Sequence, residues 1–156
     1  MTKGGNNIEQ SKQIPFDIKR AHWIYDVPGG VNRGGHAYKE TDEFIVALSG
    51  SFDVEICDGE ENKVFPLNRS YYGLYVPKGM WRTMMNFSTN SLALVLSSTE
   101  YNEYDYISNF EEYRLWRKDS TKEPSISDAK TSVKINNPLC KSFLSEGKSV
   151  FDCRKW

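Results

Sequence analysis

The sequence predicts an all-β fold, a single jelly roll of short strands followed by one short helix and an extension. Between residues 19 and 98, short runs rich in Val, Ile, Phe and Tyr alternate with clusters of Gly, Pro, Asn and Asp. Their even spacing is typical of two sheets that bury a shared face. The 156 residues are enough for one domain with a real core.

Each predicted strand ends in residues that favour a turn, because Gly tolerates positive φ while Pro, Asn, Asp and Ser interrupt a sheet. In chain order, the strands and their turns are AHWIYDV with PGG, EFIVAL with SGS, FDVEIC with DGE, KVFPL with NRS, YGLYVP with KG, RTMMNF with STNS, and LALVLSS.

The rhythm of short strands breaks at residues 102–118. An approximate helical stripe runs through this segment and predicts a short helix that packs on the barrel. The stripe consists of Tyr106, Ile107, Phe110, Tyr113 and Leu115.

The domain is therefore expected to span residues 15–118, between a flexible lead-in at 1–14 and a weakly structured extension of unknown role at 119–156. No apolar run approaches the roughly 20 residues that span a bilayer, and no signal-peptide core is present. Three scattered cysteines predict no disulfide framework, and a net charge of -1 does not indicate a nucleic-acid surface. We expect a cytoplasmic protein that binds neither membrane nor nucleic acid.

Two motifs resemble the paired signatures of the cupin barrels. The first signature consists of a glycine, H-x-H, an acid and a second glycine. Its spacing is present in RGGHAYKETDEFIVALSG, residues 33–50, but a tyrosine stands at the second histidine. PKGMWRTMMN, residues 77–86, has the second, P-x-G-x-x-H-x-x-x-N, with arginine at the histidine. The four positions that hold a metal in such barrels are here His36, Tyr38, Glu43 and Arg82.

These four residues predict a barrel without metal or other cofactor. Arginine keeps its proton near neutral pH and has no lone pair to give, so Arg82 is not a ligand. One imidazole and one carboxylate make a poor site for a divalent ion. A fixed organic cation suits an anionic substrate, or negative charge that develops on an oxygen.

Longer strings resemble the dTDP-4-keto-6-deoxyglucose 3,4-ketoisomerase family, the WxcM-like or FdtA-like cupin sugar isomerases. The family typically shows R-G-x-H-A-H-K, then a G-L-y-i-p-p-x-x-W run ending in F-S, then Y-x-x-x-D-Y-I. This chain has IYDVPGGVNRGGHAYK, GLYVPKGMWRTMMNFS and LVLSSTEYNEYDYISNFEEY. The likeness covers residues 19–115.

The resemblance implies that His36 is the catalytic base, and that the substrate is a dTDP-linked keto sugar. It also implies that Arg33, Lys39, Trp81 and Arg82 lie in or beside the substrate cleft. Family members are homodimers with exchanged strands, so the same assembly is implied here.

Aromatic side chains near the predicted cleft offer stacking surfaces for a thymine ring. Among them, Tyr25 and Trp81 are predicted to contact the substrate. The wider aromatic set comprises Trp23, Tyr25, Tyr71, Tyr72, Tyr75 and Trp81.

This chain departs from the family pattern at Tyr38, where relatives have the second histidine. The proton relay then uses Tyr38, uses His22, or is replaced by different chemistry. The role of Arg82 is open in the same way: its guanidinium either stabilises the enediolate or binds the diphosphate.

The implied reaction moves a ketone from C4 to C3 through an enediol, for synthesis of an amino-deoxy sugar of surface glycans. A neutral imidazole suits the carbon proton transfers, and a tyrosine hydroxyl suits the oxygen proton. The alternatives are a catalytically silent sugar-nucleotide-binding cupin, an epimerase on a related dTDP-keto sugar, and a metal-dependent cupin.

Overall fold

The computed structural model describes residues 14–120 and 124–132. Within them, ten strands and one α-helix are arranged as a jelly-roll sandwich, which confirms the all-β prediction. The strands are β1 Arg20–Tyr25, β2 Arg33–Tyr38, β3 Glu43–Ser49, β4 Phe52–Cys57, β5 Asn62–Leu67, β6 Gly73–Val76, β7 Trp81–Met85, β8 Leu92–Ser97, β9 Tyr106–Ile107 and β10 Lys130–Ser132, and helix α1 is Phe110–Asp119.

The strands form two five-stranded antiparallel sheets. Sheet A has the order β1-β8-β3-β6-β10, and sheet B has the order β5-β4-β7-β2-β9. Since successive side chains of a strand point to opposite faces, each strand gives alternate residues to the space between the sheets. In β4, Phe52, Val54 and Ile56 are buried there.

The apolar core fills the space between the sheets, as the alternation in the sequence predicts. Its buried members are Ile45, Ala47, Phe52, Val54, Ile56, Phe65, Leu67, Leu74, Val76, Met80, Met84, Ala93, Val95 and Ala129. A second, smaller cluster of Ala37, Ile107 and Tyr113 lies between sheet B and helix α1. The helix therefore covers the outer face of sheet B.

The helix begins later than the stripe predicts. Asn109 caps it by accepting a hydrogen bond from the backbone N–H of Glu112. Between residue 102 and the cap, only Glu103–Asp105 form a single 3-10 turn. Tyr106 and Ile107 instead form β9, which pairs with β2 and is itself the edge strand of sheet B. The stripe resembles one helix because its first two residues belong to β9 and the others to α1, and both elements bury apolar side chains against sheet B. This difference brings the ring of Tyr106 beside β2.

The first described part of the extension is more ordered than expected. A 3-10 turn at Ile126–Asp128 leads into β10, which adds a fifth strand to sheet A beside β6. Ala129 is buried in the main core. Apart from Ile14, the predicted lead-in lies outside the described residues, as do residues 133–156 of the extension.

Among the helices of residues 14–120 and 124–132, none is long and apolar enough to cross a membrane.

The burial of Ala129 predicts that the extension supports the core. We expect Ala129→Asp to lower the free energy of unfolding by about 2 kcal/mol or more, because it buries a carboxylate without a partner. Urea unfolding measures this. The neighbouring Lys130 is exposed, and Lys130→Asp should stay within about 0.5 kcal/mol of the parent. Equal stability of the two variants would show that β10 does not contribute to the folded core.

Candidate active site

Polar residues from both sheets meet inside one end of the sandwich. In sheet A, the strand register places Ser97 directly beside Arg20 on one side and Glu43 on the other. In sheet B, His36 lies opposite Arg82. Ser97, Glu43 and Arg82 are almost fully buried, so these two rows face each other across the interior. Three of the four signature positions, His36, Glu43 and Arg82, are therefore brought together.

A bidentate ion pair joins the two rows. Nε and NH2 of Arg82 donate to the two carboxylate oxygens of Glu43 at 2.7 and 2.8 Å. Each residue is only 1% exposed. Burial raises the pKa of Glu43, but the charge and hydrogen bonds of Arg82 outweigh this, and the net shift is downward. The pair stays ionised, and the charge of Arg82 is balanced inside the protein.

The position of Arg82 also explains why residue 34, two before His36, is a glycine. Gly34 has φ +69°, in the region that favours glycine, and a Cβ there would collide with NH1 of Arg82. The same NH1 donates to the Gly34 carbonyl at 3.3 Å. The register between β2 and β7 shifts by one residue between Arg33 and His36, as in a β-bulge. The R-G-G-H sequence thus forms a bend around the guanidinium.

His36 is half-buried and is held by aromatic rings. Its ring centroid lies 4.8 Å from that of Tyr38 and 5.1 Å from that of Tyr106. Its Nε2 atom is buried and has no hydrogen-bond partner in the described structure. Burial, and secondarily the charge of Arg82, lower the pKa of His36 from 6.5 to about 3. The imidazole is neutral near pH 7 and has a free position for a proton.

Tyr38 and Tyr106 form a hydroxyl pair beside His36. They are directly opposed in β2 and β9, and the Tyr38 hydroxyl donates to the Tyr106 oxygen at 3.0 Å. Burial, the charge of Glu43 and this hydrogen bond raise the pKa of Tyr38, so its hydroxyl keeps its proton. Sequence reasoning did not select Tyr106 as a site residue, although it lies in the Y-x-x-x-D-Y-I run.

Backbone contacts around Asp105 fix β9 against β2. The Asp105 carboxylate accepts from the backbone N–H of Glu40 at 2.7 Å and from the Thr41 hydroxyl. Its carbonyl accepts from the N–H of Lys39 at 3.0 Å. These bonds join the segment after β2 to the segment before β9, and so set the position of the two tyrosines.

The second histidine also faces the interior. His22 alternates with the exposed Trp23 along β1 and lies opposite the fully buried Val95. Burial lowers its pKa, and its charged neighbours include Glu43 and Arg82. The end of the sandwich therefore holds two neutral imidazoles.

The predicted cations at the substrate cleft lie nearer the surface. Arg33 is exposed at the start of β2, before the bulge. Lys39 is half-buried directly after β2. Their binding role stays a prediction.

The predicted aromatic contacts face away from His36. Trp81 lies on the outer face of sheet B, with ring centroids 5.1 Å from Phe110 and 5.5 Å from Tyr113. Tyr25 is 55% exposed and alternates with the inward-facing residues of β1. Substrate binding by Trp81 and Tyr25 also stays a prediction.

The donor set at this site does not fit a metal ion. Arg82 occupies both carboxylate oxygens of Glu43, which leaves the imidazoles as the only good donors among the four signature positions and His22. Within the described ranges, no group of three or more His, Cys, Asp or Glu side chains is arranged to hold a metal.

Comparison with known proteins identifies similar sequences. Residues 5–118 match the profile of the FdtA family, described as WxcM-like, C-terminal. A TDP-4-oxo-6-deoxy-alpha-D-glucose-3,4-oxoisomerase from Aneurinibacillus thermoaerophilus is 38% identical over 109 residues, which are 70% of this chain and 78% of that protein.

Solved structures agree with the sequence match. A 3,4-ketoisomerase from Helicobacter canadensis has a TM-score of 0.68 and 42% identity, over 69% of this chain and 81% of that chain. The sugar 3,4-ketoisomerase QdtA from Thermoanaerobacterium thermosaccharolyticum, solved in complex with TDP, has a TM-score of 0.67 and 37% identity, over 71% of this chain and 81% of that chain.

The buried ion pair predicts that removing the charge of Glu43 costs far more stability than removing that of the exposed Glu40. We expect Glu43→Gln to lower the free energy of unfolding by about 3–5 kcal/mol, because it leaves the Arg82 charge buried without a partner. The exposed pair of Lys78 and Glu40, 3.3 Å apart, is the control. Glu40→Gln should change stability by less than about 1 kcal/mol. Urea unfolding of both variants measures the difference, and similar values would contradict this account of the pair.

The two histidines of the chain provide a test of the electrostatics. Because folding disfavours the protonated forms, NMR titration should give midpoints below 6.5 for both, with His36 near 3. His22→Gln assigns the two signals. The unfolded chain takes up these protons below about pH 6.5, so their contribution to stability is lost as the pH falls from there toward 3. A midpoint near 6.5 for His36 would show that its ring is hydrated.

Proposed function

The chain belongs to the FdtA family, described as WxcM-like, C-terminal, and we propose that it is a sugar 3,4-ketoisomerase. Its reaction converts dTDP-4-keto-6-deoxyglucose to a dTDP-3-keto-6-deoxyhexose. The observation that carries this proposal is His36, a neutral imidazole with a free, buried Nε2 atom beside two tyrosine hydroxyls. Its neighbours supply protons without a metal or other cofactor.

His36 moves the proton between carbons. The C4 carbonyl acidifies the C3–H bond, and the imidazole takes this proton as the C4 oxygen gains negative charge. The resulting imidazolium returns a proton to C4 in the second half of the reaction. A neutral imidazole in the resting enzyme is the form that the first step needs.

Tyr38 and Tyr106 move the proton between oxygens. The pair donates a proton to the C4 oxygen as the enediol forms, and it recovers one from the C3 hydroxyl as the C3 ketone forms. The balance leaves both tyrosines as they began. Their hydroxyl contact of 3.0 Å supports this exchange, and the raised pKa of Tyr38 keeps the proton available. On this proposal, the tyrosine pair replaces the family's second histidine.

Arg82 shapes the site instead of binding the diphosphate. Its guanidinium donates to Glu43, to the Gly34 carbonyl and, at 3.7 Å, to the sulfur of Met84. Little of its donor capacity is left for a substrate. Arg33 and Lys39, which lie nearer the surface, are the cations proposed to hold the diphosphate.

The assembly is proposed to be a homodimer with exchanged strands. Strand β1 is an edge of sheet A, and its outward side chains Trp23 and Tyr25 are 40% and 55% exposed. An exposed aromatic edge supports pairing with a second copy. On this proposal, Tyr25 contacts substrate only across the dimer interface. The enzyme would act in the cytoplasm, on the route to an amino-deoxy sugar of surface glycans.

Proton exchange tests the reaction. Chelator-treated protein incubated with dTDP-4-keto-6-deoxyglucose in deuterated water should yield a new 3-keto sugar with deuterium at C4, followed by NMR. His36→Asn should abolish this exchange because it removes the base. Binding of the sugar nucleotide without exchange would support the silent-binder alternative, and a product that keeps its 4-keto group would support an epimerase.

Hydroxyl deletions test the tyrosine pair. We expect Tyr38→Phe and Tyr106→Phe to lower kcat by about 10²- to 10⁴-fold, the usual contribution of a positioned acid or base. Tyr104 is 80% exposed, and Tyr104→Phe is the control that should keep parental activity. If both site variants also keep parental kcat while His22→Gln does not, then His22 is the relay.

A further inference from the structure

We propose that Arg20, which the sequence motifs do not include, binds the oxygen on which negative charge develops at the reacting end of the sugar. This inference rests on the proposed ketoisomerase function and names a residue of the same site. Its basis is the position of Arg20 in the inward-facing row of sheet A, and the free donors of its guanidinium.

The strand register places Arg20 inside the site. Arg20 lies opposite Ser97, and Ser97 lies opposite Glu43, so the three residues follow one another across β1, β8 and β3. Ser97 is fully buried and Glu43 nearly so, which identifies this row as inward-facing. The Arg20 side chain therefore starts from the same side of the sheet as the carboxylate that pairs with Arg82.

Aromatic contacts connect Arg20 to the base. The guanidinium carbon lies 5.8 Å from the centroid of the Tyr38 ring, and the Tyr38 ring lies 4.8 Å from that of His36. The three side chains are consecutive neighbours. On this proposal, a sugar whose C3–H contacts His36 directs its C3 and C4 oxygens toward Tyr38 and the neighbouring Arg20 guanidinium.

Arg20 has donors that no group in the described part of the chain uses. Its Nε and NH2 atoms are buried and lack a hydrogen-bond partner among the described residues, and so does the Ser97 hydroxyl beside it. No carboxylate of residues 14–120 or 124–132 lies within ion-pair distance of this guanidinium. Buried polar groups without partners are rare and costly in proteins, which points to a ligand that completes them.

The comparison with Arg82 decides which arginine meets the substrate. Arg82 is neutralised by Glu43 through two short hydrogen bonds, whereas Arg20 keeps both its charge and its donors. A donor held away from water interacts more strongly with developing charge than one at the surface. This favours the reacting-centre oxygen over the diphosphate as its ligand. The cation stabilises the enediolate without giving up a proton.

A second aromatic ring covers the Arg20 guanidinium from the solvent side. The guanidinium also lies 5.7 Å from the ring of Tyr101, which is 69% exposed. This ring also contacts that of Tyr106, at 5.9 Å between centroids, and on this proposal the exposed ring moves to let the sugar reach the Arg20 donors. The resting contact keeps the guanidinium stacked and ordered until then.

Steady-state kinetics and binding of dTDP separate the possible roles of Arg20. We expect Arg20→Gln to lower kcat by about 10²- to 10³-fold, the usual effect of removing a donor to an oxyanion. Calorimetry should show unchanged affinity for dTDP, which lacks the sugar. Arg20→Lys should recover part of kcat, since it restores charge without the forked geometry. Arg69 is exposed, and Arg69→Gln should match the parent.

Chemical rescue distinguishes a role at the substrate from a structural one. Added guanidinium ion at non-denaturing concentration should restore part of the activity of Arg20→Ala and leave His36→Asn inactive. Parental kcat in Arg20→Gln, or weaker dTDP binding with kcat preserved, would overturn the assignment. If the unmodified protein does not isomerise the keto sugar, the proposed function itself is wrong. That result is separate from the Arg20 assignment, which is tested only in an active enzyme.

Discussion

The bidentate contact between Arg82 and Glu43 is the constraint on which the rest of the site depends. It links β7 of sheet B to β3 of sheet A through the interior, where two charges are costly unless each is matched. Space for the guanidinium requires glycine at position 34, and the bulge there shifts the register just before His36. One buried pair therefore constrains both the contact between the sheets at this end and the backbone of β2 just before His36.

The pair also explains how a cupin-like frame persists with fewer histidines. A metal ion would neutralise the carboxylate and crosslink the strands, and here the guanidinium performs both tasks with directed hydrogen bonds. Because the guanidinium neutralises the Glu43 carboxylate, the nearby imidazoles do not lie in a strong negative field that would favour their protonated forms. Burial then lowers the pKa of His36 and raises that of Tyr38, so the imidazole and the hydroxyl proposed as base and proton donor both rest in their neutral forms.

Much of the fold and part of the site could be predicted from the sequence. Alternating apolar residues and Gly-rich turns indicate the sandwich, and the four signature positions include His36, Glu43 and Arg82, which lie together in the structure. Tyr106 was assigned to a helix because a two-residue strand has no period of its own, and only pairing with β2 reveals it. Arg20 is the first residue of an ordinary strand, β1, and the direction of its side chain follows from its register with Ser97 rather than from any motif.

The sequence by itself determined which groups are present: one arginine in place of a ligand, a tyrosine in place of a histidine, and glycine where the chain bends. These follow from local chemistry and from spacing along the chain. The tertiary structure decided which charges are used and which remain free. Arg20 and Arg82 are equivalent as residue types, and they differ because only Arg82 points at a carboxylate from the opposite sheet. Pairing across the interior depends on sheet packing, which no short sequence pattern encodes.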